Sequence, residues 1–144
     1  MYAPVLPGSL RSSTLVWVDR HGAIEEAGTL PFAVPHFCLS PDGGRIFVNG
    51  LEAGKVRIDL YDLSRRAATR VIDLDIDMAA APALSPDGQR LFFGRWDTKR
   101  TELLSQPVDG GGSAEPSLTL PGLWMAPSSV SPDGRFVAFT VLDI

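Results

Sequence analysis

Gly50-Leu51-Glu52-Ala53-Gly54-Lys55 has the residue types of a phosphate-binding loop. Such a loop cradles phosphates with glycine backbone N–H groups, reaches them with a lysine and places a Ser or Thr hydroxyl on magnesium. Here the glycine interval is one residue short and Val56 stands where the hydroxyl is needed. The stretch also lies between two strand-like runs, with no helix to supply a dipole, so it reads as a solvated loop. Asp73, Asp75 and Asp77 have the alternation that opens a calcium loop, but Met78 occupies the position that requires Gly and Leu84 the position that requires Glu. They read as a strand end entering a loop, with the carboxylates on one face. His21 and His36 are the only histidines, and neither has metal-ligand spacing. His21 falls in a turn; His36 follows Pro35 at the mouth of a strand, where it could point into a central channel. The single cysteine, Cys38, excludes an intrachain disulfide and a Cys-based zinc site, and reads as a small buried hydrophobe. No G-x-S-x-G elbow or dinucleotide fingerprint occurs, and Asp109-Gly-Gly-Gly-Ser113 has too many glycines to be rigid. The sequence therefore assigns no catalytic, cofactor-binding or metal-binding residue, and no cofactor is expected.

Composition narrows the classes further. The chain has 144 residues, 44% hydrophobic and 21% charged, which suits a globular domain and not a disordered one. A net charge of −4 argues against nucleic acid as a partner. Trp17, Trp96 and Trp124 are accordingly read as packing or protein-contact residues, not a base-stacking platform. No run of 18 apolar residues is present, so membrane insertion is not expected. Residues 1–13 contain Pro4, Pro7 and Gly8 and read as a loose leader, without the charged start and apolar stretch of a signal peptide. The chain as written reads as soluble, its compartment open.

The elements that must position these residues are announced by a repeat. Ser40-Pro41-Asp42-Gly43 returns as Ser85-Pro86-Asp87-Gly88 and as Ser131-Pro132-Asp133-Gly134. Intervals of about 45 residues point to propeller blades or helical repeats. The turn chemistry decides for blades. Proline pre-sets φ at the second turn position, and the following glycine is free to take positive φ, so each tetrapeptide should join two antiparallel strands. After each turn comes a short run that is apolar on both faces: Ile46-Phe47-Val48, Leu91-Phe92-Phe93 and Val137-Ala138-Phe139. That is the pattern of a strand covered on both sides.

A second hairpin follows each such unit. Residues 55–63 alternate, turn at 64–67 and lead to a second run near 69–74. Residues 14–30 have the same layout, with Trp17 aligned to Tyr61 and Gln106. The expected organisation is therefore half a blade at 14–30, full blades at 36–75 and 82–120, and half a blade at 128–144. A helix over 64–78, capped by Ser64, competes with this for one segment, and the Gly- and Pro-containing segments aligned with it favour strand. The fold class is all-β, a partial β-propeller of about three four-stranded blades.

Ser-Pro-Asp-Gly followed by these strands resembles the TolB-like, WD-repeat-like β-propeller repeat of bacteria, over about residues 14–144. The segments "TLVWVDRHG", "DLYDLSR" and "RWDTKRTELLSQPVDGGG" more narrowly resemble the propeller C-terminal to bacterial serine/threonine-kinase-like proteins. The family often has an aromatic before the motif, where this chain has Leu39, Leu84 and Val130. The resemblance implies recognition and scaffolding, since TolB is a periplasmic protein-binding propeller and related propellers gate serine peptidases. It implies no reactive residue.

The expected function is non-catalytic recognition of a protein or peptide. The alternative is an accessory or sensor propeller of a larger enzyme, either a receptor-like kinase or a serine peptidase. In the first of these the chain would lie outside the cytoplasm. The face opposite the Ser-Pro-Asp-Gly turns should collect His36, Asp75, Asp77, Trp96, Arg100 and Trp124, with Met125 beside them; this is the candidate partner-binding face. Three blades are fewer than the four that closure requires. The chain is therefore expected to be part of a longer propeller or, alternatively, to pair head to tail with a second copy in a six-bladed ring.

Overall fold

The computed structural model describes residues 12–52, 55–74, 79–96, 99–109, 111–121 and 123–143. They form twelve strands and no helix: β1 (Ser13–Val18), β2 (Ile24–Leu30), β3 (Ala33–Leu39), β4 (Arg45–Glu52), β5 (Lys55–Asp62), β6 (Ala67–Leu74), β7 (Ala79–Leu84), β8 (Arg90–Trp96), β9 (Arg100–Pro107), β10 (Glu115–Pro121), β11 (Leu123–Val130) and β12 (Val137–Asp143). The sheets are β1-β2, β3-β4-β5-β6, β7-β8-β9-β10 and β11-β12, every pair antiparallel. Half a blade, two whole blades and half a blade is the order the repeat predicts. The first strands pack side by side, β3 on β7 and β7 on β11, and make the inner wall.

Apolar residues occupy both faces of the second strands because the cores lie between sheets. Ile46 and Val48 of β4 join Leu15, Ala27, Leu30, Phe32 and Tyr61 in the core shared with the β1-β2 hairpin. Phe47, between them in sequence, points the other way and meets Ile58, Ile72, Leu91, Phe93 and Leu104. Phe47 and Phe93 are both fully buried, each contributing roughly 1.5–3 kcal/mol of transfer free energy. On the far side, β11 packs on β7, β8 and β9, with Met125 fully buried.

The structure corrects three expectations and decides one alternative. The first strands begin before their prolines, at Ala33, Ala79 and Leu123. Register shifts absorb the prolines, between Ala33 and His36, between Ala80 and Ala83, and between Pro127 and Ser129. Proline has no N–H to give a ladder, and these are edge strands where one unpaired position is tolerated. Residues 67–74 are strand, the reading the aligned segments favoured over a helix. Met125 is core and does not belong to a recognition face. Ser13 is already in β1, where its Oγ accepts a hydrogen bond from Val34 N–H at 2.9 Å, so it is not leader; residues 1–11 lie outside the described residues.

Candidate functional site

Each Ser-Pro-Asp-Gly segment is the same hydrogen-bonded object. Gly43, Gly88 and Gly134 N–H donate to the carbonyls of Ser40, Ser85 and Ser131 at 2.8–2.9 Å, and each glycine has φ +71°. The serine hydroxyls donate to Asp42, Asp87 and Asp133 at 2.5–2.6 Å and accept from the N–H of Arg45, Arg90 and Phe136. These serine hydrogen bonds, followed by backbone N–H donors, hold the three carboxyls below the usual carboxylate range. The turns also stack from blade to blade. A Cβ on Gly88 would lie 3.5 Å from Pro41 Cδ, and one on Gly134 would lie 3.9 Å from Pro86 Cδ. Pro41, Pro86 and Pro132 thus sit in one row of turns, lining a shallow depression with Leu84 and Val130.

The second hairpins are headed by aspartates. Asp19 Oδ1 accepts N–H bonds from His21 and Ala23, and Asp62 Oδ1 from Ser64 and Arg65. This makes Val18 the counterpart of Tyr61, one residue off the Trp17 alignment. Tyr61 faces back to Gly28, where a Cβ would meet its hydroxyl at 2.1 Å, while Trp17 looks forward to Phe37 and Leu39.

Of the residues expected on the opposite face, His36 is exposed in the middle of β3, opposite Asn49. Trp96 closes β8, half-buried, and Arg100 opens β9; the register sets Trp96 opposite Thr101, which brings these two candidates to one hairpin mouth. Arg100 Nε lies 3.6 Å from Glu102 Oε1, and Arg95 Nε lies 2.9 Å from Glu102 Oε2 with its Nη2 on the same oxygen. Glu102, buried between two arginines, was not singled out from the sequence; its signal is only that Arg95 pairs with it across the strands. Trp124 falls in β11, its side chain outside the described residues, as are Asp75 and Asp77. His36 stands on a different sheet from Trp96 and Arg100.

A further concavity lies elsewhere. A groove of about 710 Å³ runs between the two complete sheets at their turn end. Arg45 and Arg70 stand on one wall, Asp87, Gln89 and Asp109 on the other, over an apolar floor that includes Leu60 and Val108. Val108 N–H donates to Gln89 O at 2.9 Å, which fixes the far wall. Sequence reasoning missed this groove because its residues come from β4, β5, β6, β9 and two separate turns.

The other sequence candidates become structural. Gly50 lies in β4, and a Cβ there would meet the Phe32 ring at 2.5 Å, so this glycine makes room for packing. Cys38 packs against the core around Phe47, and burial pushes its thiol up to about 12. Asp59 is fully buried with Arg57: Arg57 Nε donates to Oδ1 at 2.9 Å, Nη2 reaches Oδ2 as an ion-pair contact without hydrogen-bond direction, and the guanidinium lies over Phe32 at 4.6 Å. No group of three or more His, Cys, Asp or Glu placed to hold a metal ion occurs among the described residues. No helix among them is long and apolar enough to cross a membrane.

Comparison with solved structures decides the architecture. TolB from Acinetobacter baumannii superposes with a TM-score of 0.72 at 20% identity, over 88% of this chain and 31% of that one. The fold is a TolB-type β-propeller. The same TolB-type arrangement matches a prolyl endopeptidase (TM-score 0.59, 13% identity, 92% of this chain and 23% of that one). It also matches puromycin hydrolase (TM-score 0.56, 22% identity, 82% and 22%). The chain thus spans about a third of TolB and under a quarter of either hydrolase. No protein-family model and no curated protein matches the sequence.

Proposed function

We propose that this chain is a recognition segment of a TolB-type propeller, taking a protein or peptide in the groove between its two complete sheets and making no bonds of its own. The groove carries this reading. It offers two guanidinium groups facing two carboxylates and an amide across an apolar floor, a composition that suits a peptide backbone and mixed side chains. The acidic overall charge weighs against nucleic acid. His36, Trp96 and Arg100 remain a second contact surface within the same proposal, with Trp124, Asp75 and Asp77 assigned to it from sequence alone.

A second reading is favoured by one observation. Two of the similar structures are hydrolases, one of them a prolyl endopeptidase whose catalysis is described through inter-domain dynamics. In that reading the chain is part of an accessory propeller, and its groove contacts the enzyme or its substrate. The kinase-sensor form of that reading rests on the sequence segments around Trp17, Tyr61 and Trp96.

Panning the purified chain against a displayed random-peptide library tests the groove. Enriched peptides should bind Arg45→Glu and Gln89→Ala variants at least about tenfold more weakly, equivalent to ~1.4 kcal/mol. Failure to enrich any peptide, or peptides that bind both variants as well as the parent, would overturn the assignment.

A further inference from the structure

We propose that the peptide taken by the groove adds a fifth strand to the outer edge of β6, and that its side chain opposite Thr69 is an aspartate or glutamate. This rests on the groove reading above and gives the occupant a conformation and a charge. β6 is the fourth strand of a complete sheet in mid-chain, and among the described residues it pairs with a strand on one side only. Such an edge presents backbone donors and acceptors on which an extended peptide continues the ladder.

The direction of those groups follows from the register. Leu63 N–H donates to Gly44 O, so Tyr61, two residues back, also turns its backbone groups to β4. Donor direction alternates along an antiparallel strand, so Leu60 turns the other way, to β6. Its partner Thr69 turns back to β5, and the neighbouring Ala68 therefore turns its N–H and C=O outward. Ala68 is exposed, and no proline interrupts β6 from Ala67 to Leu74. The next whole sheet differs at this edge. Its fourth strand, β10, has the same register shift, with Pro116 opposite Leu104 where β6 has Arg70 opposite Asp59. The same alternation, started from Val108 N–H on Gln89 O, turns the backbone nitrogen of Pro116 outward, where proline has no hydrogen to give. Proline on an edge strand is a device against added strands, and β10 has it where β6 does not.

The groove beside β6 supplies the side-chain contacts. The register shift leaves Val71 as the extra residue of β6, and a bulge of this kind re-aims its side chain; Val71 lines the groove. Leu60 packs on the core shared with the next sheet, so Thr69, directly opposite it, faces the same way. A peptide residue paired with Thr69 then turns into the groove, where Arg45, Arg70 and Gln89 carry donor groups. Among the described residues the Arg45 guanidinium forms one ion pair, with Asp42, at 3.9 Å. The carboxylates of the far wall are engaged by their own turns. Asp87 Oδ1 accepts from Ser85 Oγ and from Gln89 N–H, and Asp109 Oδ1 accepts from Gly111 N–H. An acidic side chain is the complement of these donors.

The probes are synthetic copies of the peptides enriched on the full chain that lose affinity for Arg45→Glu. N-methylation of the peptide removes one backbone donor at a time. It should weaken binding at least about tenfold at alternate residues and little at those between, which is the period of a ladder. Ala68→Pro should weaken the same peptides by a similar factor and leave the β-type circular dichroism and urea midpoint close to the parent. Replacing the peptide's acidic residue by lysine should weaken binding to the parent and restore binding to Arg45→Glu. If no enriched peptide depends on Arg45, the groove reading itself falls. Peptides that depend on Arg45 but show no alternation on N-methylation, and bind Ala68→Pro as well as the parent, overturn the added strand and leave the groove reading standing. Arg45-dependent peptides with no acidic residue overturn the charge assignment.

Discussion

At the scale of single residues, the repeated turn does its work through glycine geometry and a serine hydroxyl used twice. Gly88 has φ +71°, where a β-branched side chain is strained, and its missing Cβ faces Pro41 of the preceding blade. Gly88→Val should therefore cost at least about 1–2 kcal/mol from left-handed strain. Gly44→Val is the matched control. Gly44 follows an equivalent turn without positive φ, and a Cβ there would meet only the Asp42 side chain, at 3.6 Å. Urea midpoints should separate the two variants clearly, and equal midpoints would mean that φ at Gly88 is not a constraint. This requirement was legible in the sequence, because Pro followed by Asp-Gly leaves few turn geometries open.

At the scale of elements, legibility followed the strength of local chemistry. The second strands could be read at once, because burial on both faces left an uninterrupted apolar run such as Ile46-Phe47-Val48. The first strands were read too short, because Pro35, Pro82 and Pro127 looked like boundaries. They are interior to edge strands, and the broken ladder is absorbed by register shifts. The candidate groove was illegible for a different reason. Arg45, Arg70, Gln89 and Asp109 are spread over 65 positions, and only the packing of one sheet on the next brings them together. β5 hides one more device of this kind. Arg57 and Asp59 lie two apart on one face of a strand, where Asp59 is fully buried and the Arg57 guanidinium lies over Phe32. Asp59→Ala removes the carboxylate held by a guanidinium only 14% exposed, and should destabilise by about 3–5 kcal/mol. The double change Arg57→Met with Asp59→Leu should recover most of that loss, since it replaces both charges with apolar volume. A single variant within about 1 kcal/mol of the parent by urea unfolding would show that the pair is not buried in solution.

At the scale of the whole molecule, the cores between sheets make each blade depend on its neighbours, and the three repeated turns give the assembly a common response to acid. Asp42, Asp87 and Asp133 are all held below the usual carboxylate range, with the serine hydrogen bond the first cause in each. Asp62, bonded to Ser64, is shifted the same way. A depressed folded value means that the unfolded chain binds more protons as pH falls, so stability rises with pH through this window. The contribution is complete above the ordinary aspartate value of about 3.9 and is lost as pH falls through the lower folded values. Urea midpoints should therefore hold steady from pH 6 to about 5 and decline below about 4. The other carboxylates also titrate there, so the turns are isolated by difference: a Ser85→Ala, Ser131→Ala variant should be less stable at neutral pH and approach the parent in acid. Because the first cause is a hydrogen bond, the convergence should persist in ~1 M salt, where the screening length is about 3 Å. A constant gap between parent and variant from neutral pH to about pH 2 would show that these serines do not act through the aspartates.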